Sequence, residues 1–259
     1  MTREPASTEE WRNIARVPNL YFHILSWPDR EQGWSEEEFY ATGEAEWADF
    51  ARRWREYGAE PAGRCVEIGC GVGRLTRALA GDFDRVLALD VSEDMLAGAR
   101  RVVPANVELA QVDGSSIPLG DGEADAVFSA IVLQHLETFA DVRAYLADSF
   151  RALRPGGTAM LNIAIELRTR GALERLRAEL GIRRSRRGLR QGRVHQLVRW
   201  REYPFNRVLG ALREIGFQGI EFRVFPVSTN GWLYQFWFAT KPGPEPPEPP
   251  ESVGASSSA

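Results

Sequence analysis

The stretch "CVEIGCGVGRLTRAL", residues 65–79, decides the fold. It sets glycines at alternate positions, Gly69, Gly71 and Gly73, between an apolar run and a helical pattern. Glycine weakens strands and helices alike, so a cluster at their junction marks close backbone approach or a positive φ. A nucleotide, a nucleoside-bearing cofactor, or a tight turn with nothing against it would each account for the loop.

Outward from this loop, short strands and helices alternate. "RCVEIG" (64–69) reads as a strand and "GRLTRALA" (73–80) as a helix. "RVLALD" (85–90) is a strand, and "SEDMLAGARR" (92–101) a helix with Ser92 as N-cap and two acids in its first turn. "VELAQVD" (107–113) and "ADAVFSAIV" (124–132) are strands. "TFADVRAYLADSFRAL" (138–153) is a helix stopped by "RPGG", and "TAMLNIAI" (158–165) is the next strand. Nearly all-apolar strands separated by helices imply a parallel sheet covered on both faces. After a further helix, "FNRVLGALREIG", come "GIEFRVFPV" and "WLYQFWFATK", joined by "STNG". The Asn-Gly step predicts an antiparallel hairpin. The expected fold is therefore α/β: a doubly wound, mostly parallel seven-stranded sheet with a C-terminal antiparallel hairpin.

Residues 1–60 read as an amphipathic helical cap. Ser35 to Glu38 fits a capping box, and Trp47, Phe50 and Trp54 recur on one face behind it. The α/β domain spans 61–241, with an insertion at about 166–202. Residues 242–259, with six prolines in 242–250, are expected to be a disordered tail.

Composition narrows the function classes. A formal net charge of −4 gives no global attraction to nucleic acid or anionic membranes. Lys241 is the only lysine among 32 basic residues, a bias of GC-rich bacterial genomes. Cys65 and Cys70 have no partner Cys or nearby His for a metal, and their spacing along one strand-to-loop path makes a poor disulfide. They are expected to be small buried thiols in a reducing cytoplasm. The N-terminus lacks the apolar run of a signal peptide, and no segment approaches the ~20 apolar residues that span a bilayer. A soluble, cytoplasmic protein is expected.

A dinucleotide site wants G-x-G-x-x-G with the third glycine inside the helix. Here Arg74 holds that position, the glycines run G-x-G-x-G, and Glu67 precedes them. An acid there suits a ligand with a cationic end. In "EIGCGVG", and in the "VLQHL" and "LRPGG" segments, the chain resembles the class I S-adenosylmethionine-dependent methyltransferases of small-molecule type over about residues 60–240. The resemblance implies S-adenosylmethionine as cofactor, held by Glu67, Gly69, Cys70, Gly71, Gly73, Asp90, Val91, Asp113, Gly114 and Ser129. Gly69 and Gly71 would let the backbone approach the methionine part and ribose, and Glu67 would compensate the ammonium group. Asp90 would accept the ribose hydroxyls, and Asp113 the adenine amino group with Gly114 leaving room for the ring. Ser129 and Ala130 would line the methionine side. Asp90 and Asp113 taken singly fit equally well as strand-end caps or turn formers.

Methyl transfer mainly needs positioning, and a general base is optional. His135, in "VLQHL", is the base candidate; packing of the next helix is the other explanation for it. His195 and His23 can be lid and cap residues or ordinary surface and packing residues. No metal is called for. Substrate choice is expected in residues 1–60 and 166–202. The latter holds twelve arginines against four acids, including "IRRSRRGLRQGR" (182–193). That run fits a solvated lid, an acidic-substrate contact, or a nucleic-acid contact disfavoured by the negative net charge. The expected activity is methylation of an O or N acceptor on a small molecule in secondary or cofactor metabolism. An RNA or protein methyltransferase and a non-catalytic S-adenosylmethionine-binding protein are the alternatives.

Overall fold

The computed structural model describes residues 6–17, 21, 24–25, 33–166 and 200–243. His23, His195, the arginine run at 182–193 and the tail beyond 243 lie outside them.

Seven strands form one sheet in the order β3-β2-β1-β4-β5-β7-β6. They are β1 (Arg64–Ile68), β2 (Arg85–Asp90), β3 (Val107–Gln111), β4 (Ala124–Ser129), β5 (Leu153–Asn162), β6 (Gln218–Pro226) and β7 (Leu233–Thr240). The first five are parallel, and β7 runs antiparallel to both β5 and β6. The strand order reverses beside β1, between β2 and β4, and ligands bind at such a switch point in open α/β sheets. The described helices are α1 (Ala6–Ile14), α2 (Glu36–Glu56), α3 (Thr76–Leu79), α4 (Glu93–Ala99), α5 (Phe139–Ala152) and α6 (Phe205–Ile215).

Successive strand residues face opposite layers. Val66 and Ile68 of β1, Leu87 and Leu89 of β2 and Val127 of β4 join the buried faces of α5 and α6. Cys65, Val86, Ala88 and Phe128 point the other way, into an aromatic layer with Phe50 and Trp54 of α2 and Phe236 and Phe238 of β7. Both cysteines are buried and free, as expected.

α2 starts as its sequence requires. The Ser35 hydroxyl accepts from Glu38 N while the Glu38 carboxylate accepts from Ser35 N. Trp47, Phe50 and Trp54 are all buried along its inner face. Ser92 caps α4 through Met95 N, and Gly216 closes α6 in the left-handed region at φ 112°. α5 has a capping box of its own, Thr138 with Asp141.

Four boundaries differ from the sequence expectation. The α3 helix is one turn, because residues 71–75 are spent on the glycine loop. β3 stops at Gln111, so Asp113 lies beyond the strand end, and β4 stops at Ser129. β5 starts at Leu153 and runs through the "RPGG" segment instead of after it. There Gly156 N donates to Lys241 O and Lys241 N to Gly157 O, so pairing with the end of the β7 segment keeps this stretch extended. Among the described residues no helix is long and apolar enough to cross a membrane.

Candidate functional site

The loop after β1 turns on three positive-φ glycines: Gly69 at 78°, Gly71 at 55° and Gly73 at 83°. Each needs glycine for a different reason. A Cβ on Gly69 would stand 2.3 Å from Val132 Cγ2, and one on Gly73 would press on Val103 and Ala99. One on Gly71 would meet nothing within 4 Å. Gly71 therefore opens on free space, whereas Gly69 admits the β4 exit and Gly73 admits α4.

That free space is a cavity at the carboxyl ends of β1, β2 and β4. Its empty space, the open solvent at its mouth included, is about 1080 Å³. Its loop side is built by Glu67, Gly69, Cys70 and Gly71, its β2 side by Asp90 and Val91. Gly114 closes one end, and Ala130, Ile131, Val132 and His135 form the opposite wall.

Glu67 is buried, and its Oε2 has no hydrogen-bond partner. Burial pushes its carboxyl up to about 7; the neighbouring Thr76 hydroxyl and Arg74 charge offset part of the rise, and Asp90 adds to it. Thr76 Oγ1 is itself buried without a formed hydrogen bond. A lone buried carboxylate is costly unless a donor or cation meets it. Arg74, which also lines the cavity, acts on Glu67 through its charge without a hydrogen bond, its guanidinium being bonded to Glu46 of α2 at 2.7 Å and to Thr42. The acid is left for a positively charged group inside the cavity.

Asp90 ends β2 with one carboxylate oxygen accepting from Gly71 N and the other from Ser92 N, each at 2.9 Å. Burial raises its pKa, and those backbone donors lower it. Asp90 thus pins the glycine loop as well as facing the cavity, and each oxygen retains capacity for a further donor such as a hydroxyl.

The remaining expected residues divide in two. Cys70, Val91, Gly114 and His135 line the cavity. Gly73, Asp113 and Ser129 stand outside its lining. Asp113 is exposed and accepts from Ser115 N and Oγ in a local turn, which lowers its pKa. Ser129 is buried and donates to Ile68 O, tying β4 to β1.

His135 sits at the end of a short 3-10 turn, Leu133–His135, between two indoles. Trp11 and Trp200 meet it edge-on at ring-centroid distances of 5.2 and 5.5 Å. Trp11 comes from α1, which also presents buried Thr8 against Gly114. Further along this segment Arg12 Nε donates to Val91 O and Arg16 pairs with Asp94. The α1 segment thus reaches both the β2 side, at Val91 and Asp94, and the opposite wall, at His135.

The sequence marked Ala130 and His135 on the wall after β4, but not the backbone conformation that builds it. Ile131 has φ 59°, the one positive value on a non-glycine among the described residues. A β-branched residue there costs on the order of 1–3 kcal/mol. Its N–H donates to Asn162 Oδ1 at the end of β5.

Residues 66–161 match the family model described as "Methyltransferase domain". Over 98 residues the chain is 43% identical to the biotin biosynthesis bifunctional protein BioCD of Bordetella avium, covering 36% of this chain and 20% of that one. Over 94 residues it is 36% identical to the malonyl-[acyl-carrier protein] O-methyltransferase of Enterobacter lignolyticus, covering 36% of each. The match thus spans about a third or less of these curated relatives. A solved DhpI–SAH complex superposes with a TM-score of 0.57 at 20% identity, covering 92% of this chain and 97% of that one, a likeness of fold.

Proposed function

We propose that this chain, a class I S-adenosylmethionine-dependent methyltransferase, moves a methyl group from S-adenosylmethionine to an O or N atom of a small, largely apolar molecule. The observation that carries the cofactor is Glu67: a buried carboxylate with an unpartnered oxygen, facing a cavity on whose floor Gly71 leaves room. Those residues fit the cofactor. Glu67 would meet its ammonium group, Gly71 and Cys70 its backbone-side edge, Asp90 its ribose hydroxyls, and Val91 and Gly114 the adenine end. Gly69, Gly73 and Ser129 act indirectly in this assignment, by shaping the walls, and Asp113 by fixing the turn that presents Gly114.

When bound, the cofactor supplies a methyl group on a cationic sulfur, already activated for in-line displacement. The chain's own work is then to position and dry the acceptor. Trp11, Ile131, Val132 and Leu136 give the cavity an apolar wall, against which a bound acceptor would be shielded from water. His135, on the same wall, would take the proton that an O–H or N–H acceptor gives up. We assign acceptor choice to residues 1–60 and to the insertion at about 166–202, most of which lies outside the described residues, in a cytoplasmic enzyme of secondary or cofactor metabolism. The names of the two curated relatives, one from biotin biosynthesis and one an O-methyltransferase, support that sphere of chemistry.

Calorimetric titration with S-adenosylhomocysteine and with NAD tests the cofactor assignment. Wild type should bind the former and not the latter, and Glu67→Gln should weaken it by about tenfold or more, the loss of a charge-assisted contact. Glu67 is a cleaner probe than Asp90, whose removal would also release Gly71. NAD binding, or no binding of either, overturns the proposal.

A further inference from the structure

The left-handed residue on the cavity wall needs something to hold it. Asn162 is buried, and its two amide ends are used differently. Oδ1 accepts from Ile131 N at 3.0 Å, while Nδ2 donates to Gln235 O of β7 at 2.7 Å. A backbone N–H on one side and a carbonyl on the other allow only this amide orientation. The side chain is therefore a fixed strut between β7 and the exit of β4.

The turn it holds sets the wall. From Ile131 the chain drops Val132 onto Gly69, where no Cβ could fit. His135 N then donates to Val132 O at 2.8 Å, closing the turn that brings the imidazole to the cavity between Trp11 and Trp200. Arg201 N donates to Gln134 O, so the segment carrying Trp200 is hung on the same turn.

We propose that Asn162 is a positioning residue for methyl transfer, holding Ile131 in the left-handed conformation that places Val132 and His135 on the acceptor wall. This rests on the reading of the cavity given above, but its test does not depend on an acceptor. Asn162 touches neither ligand site directly; it acts through Ile131. Glycine adopts the same φ without strain, so Ile131→Gly should make the strut dispensable.

The test is a mutant cycle of Asn162→Ala and Ile131→Gly in the full chain, with two readouts: the imidazole resonances and the affinity for S-adenosylhomocysteine. The chain has three histidines, so the His135 signal can be assigned with a His135→Gln control. With Ile131 present, Asn162→Ala should shift the His135 resonance away from its position between the two indoles and weaken S-adenosylhomocysteine by about tenfold, a coupling ordinary for side chains in one network. In the Ile131→Gly background the same change should leave the resonance in place and alter affinity less than about threefold. Should Asn162→Ala alone fail to fold, that folded background still decides: a His135 shift there as large as the loss of the strut predicts for wild type overturns the proposal. So does an unmoved resonance in Asn162→Ala. If wild type binds no S-adenosylhomocysteine, the cofactor reading fails, while the resonance arm still judges the strut.

Discussion

The two walls of the cavity solve one backbone problem in opposite ways. On the loop side three residues need positive φ, and all three are glycine, so the turn is relaxed and costs only the entropy of ordering it. On the β4 side one residue needs positive φ and it is Ile131, so the turn is strained and depends on Asn162. The relaxed wall bears the groups suited to a polar ligand, Glu67, Asp90 and open backbone. The strained wall bears apolar side chains and the histidine. A wall built of glycine lets the main chain approach a ligand, and a wall that must present bulk cannot use glycine.

The comparison breaks most severely where the walls meet. Gly69→Ala forces a Cβ against Val132 in a left-handed conformation, and should cost about 3 kcal/mol or more by urea unfolding, the sum of backbone strain and overpacking. An effect below about 1 kcal/mol would mean the β4 exit can retreat, and that the walls are not interlocked.

Next comes the charge on the relaxed wall. The Glu67 carboxyl lies at about 7 in the native protein against an ordinary 4.5. Between those values the folded chain holds a proton that the unfolded chain has released, so stability falls as pH rises and levels off above about 7. Wild type should lose roughly 3 kcal/mol relative to Glu67→Gln over that window, an order-of-magnitude figure. Parallel pH profiles for the two proteins would show that Glu67 is not the group responsible. With S-adenosylhomocysteine bound the difference should shrink, and binding near pH 6 should release protons, visible as buffer-dependent heats.

The smallest change in stability sharpens the contrast furthest. Gly71→Ala meets no atom, so only its φ of 55° is penalised, by about 1 kcal/mol. Its effect on S-adenosylhomocysteine affinity should exceed its effect on unfolding, the reverse of Gly69→Ala. Equal losses in both assays would place the ligand elsewhere.

These differences also explain what the sequence could disclose. Glycines at 69, 71 and 73, the caps at Ser35 and Ser92 and the Asn-Gly step at 230–231 are local: residue type and conformation are bound together, so the elements followed from inspection. Ile131 carries no such mark, because its conformation is imposed from Asn162, thirty-one residues away. The "RPGG" segment misled in the other direction. Its turn chemistry is real, yet pairing with Lys241 outweighs it. Asp113 would reach the cavity only if β3 extended to it, and the strand ends two residues earlier. The seat of Trp11 on His135 depends on where α1 docks, which no short-range pattern encodes.

That docking has a kinetic side. α1 is fastened by contacts of unequal depth, from buried Thr8 at Gly114 to the outermost Arg16–Asp94 pair, whose side chains are 69% and 47% exposed. Only the outer contact feels dissolved ions strongly, since screening acts on exposed charges. Added salt should therefore weaken the outer contact and leave the buried one unchanged, an expectation read as faster release of S-adenosylhomocysteine at an unaltered melting temperature.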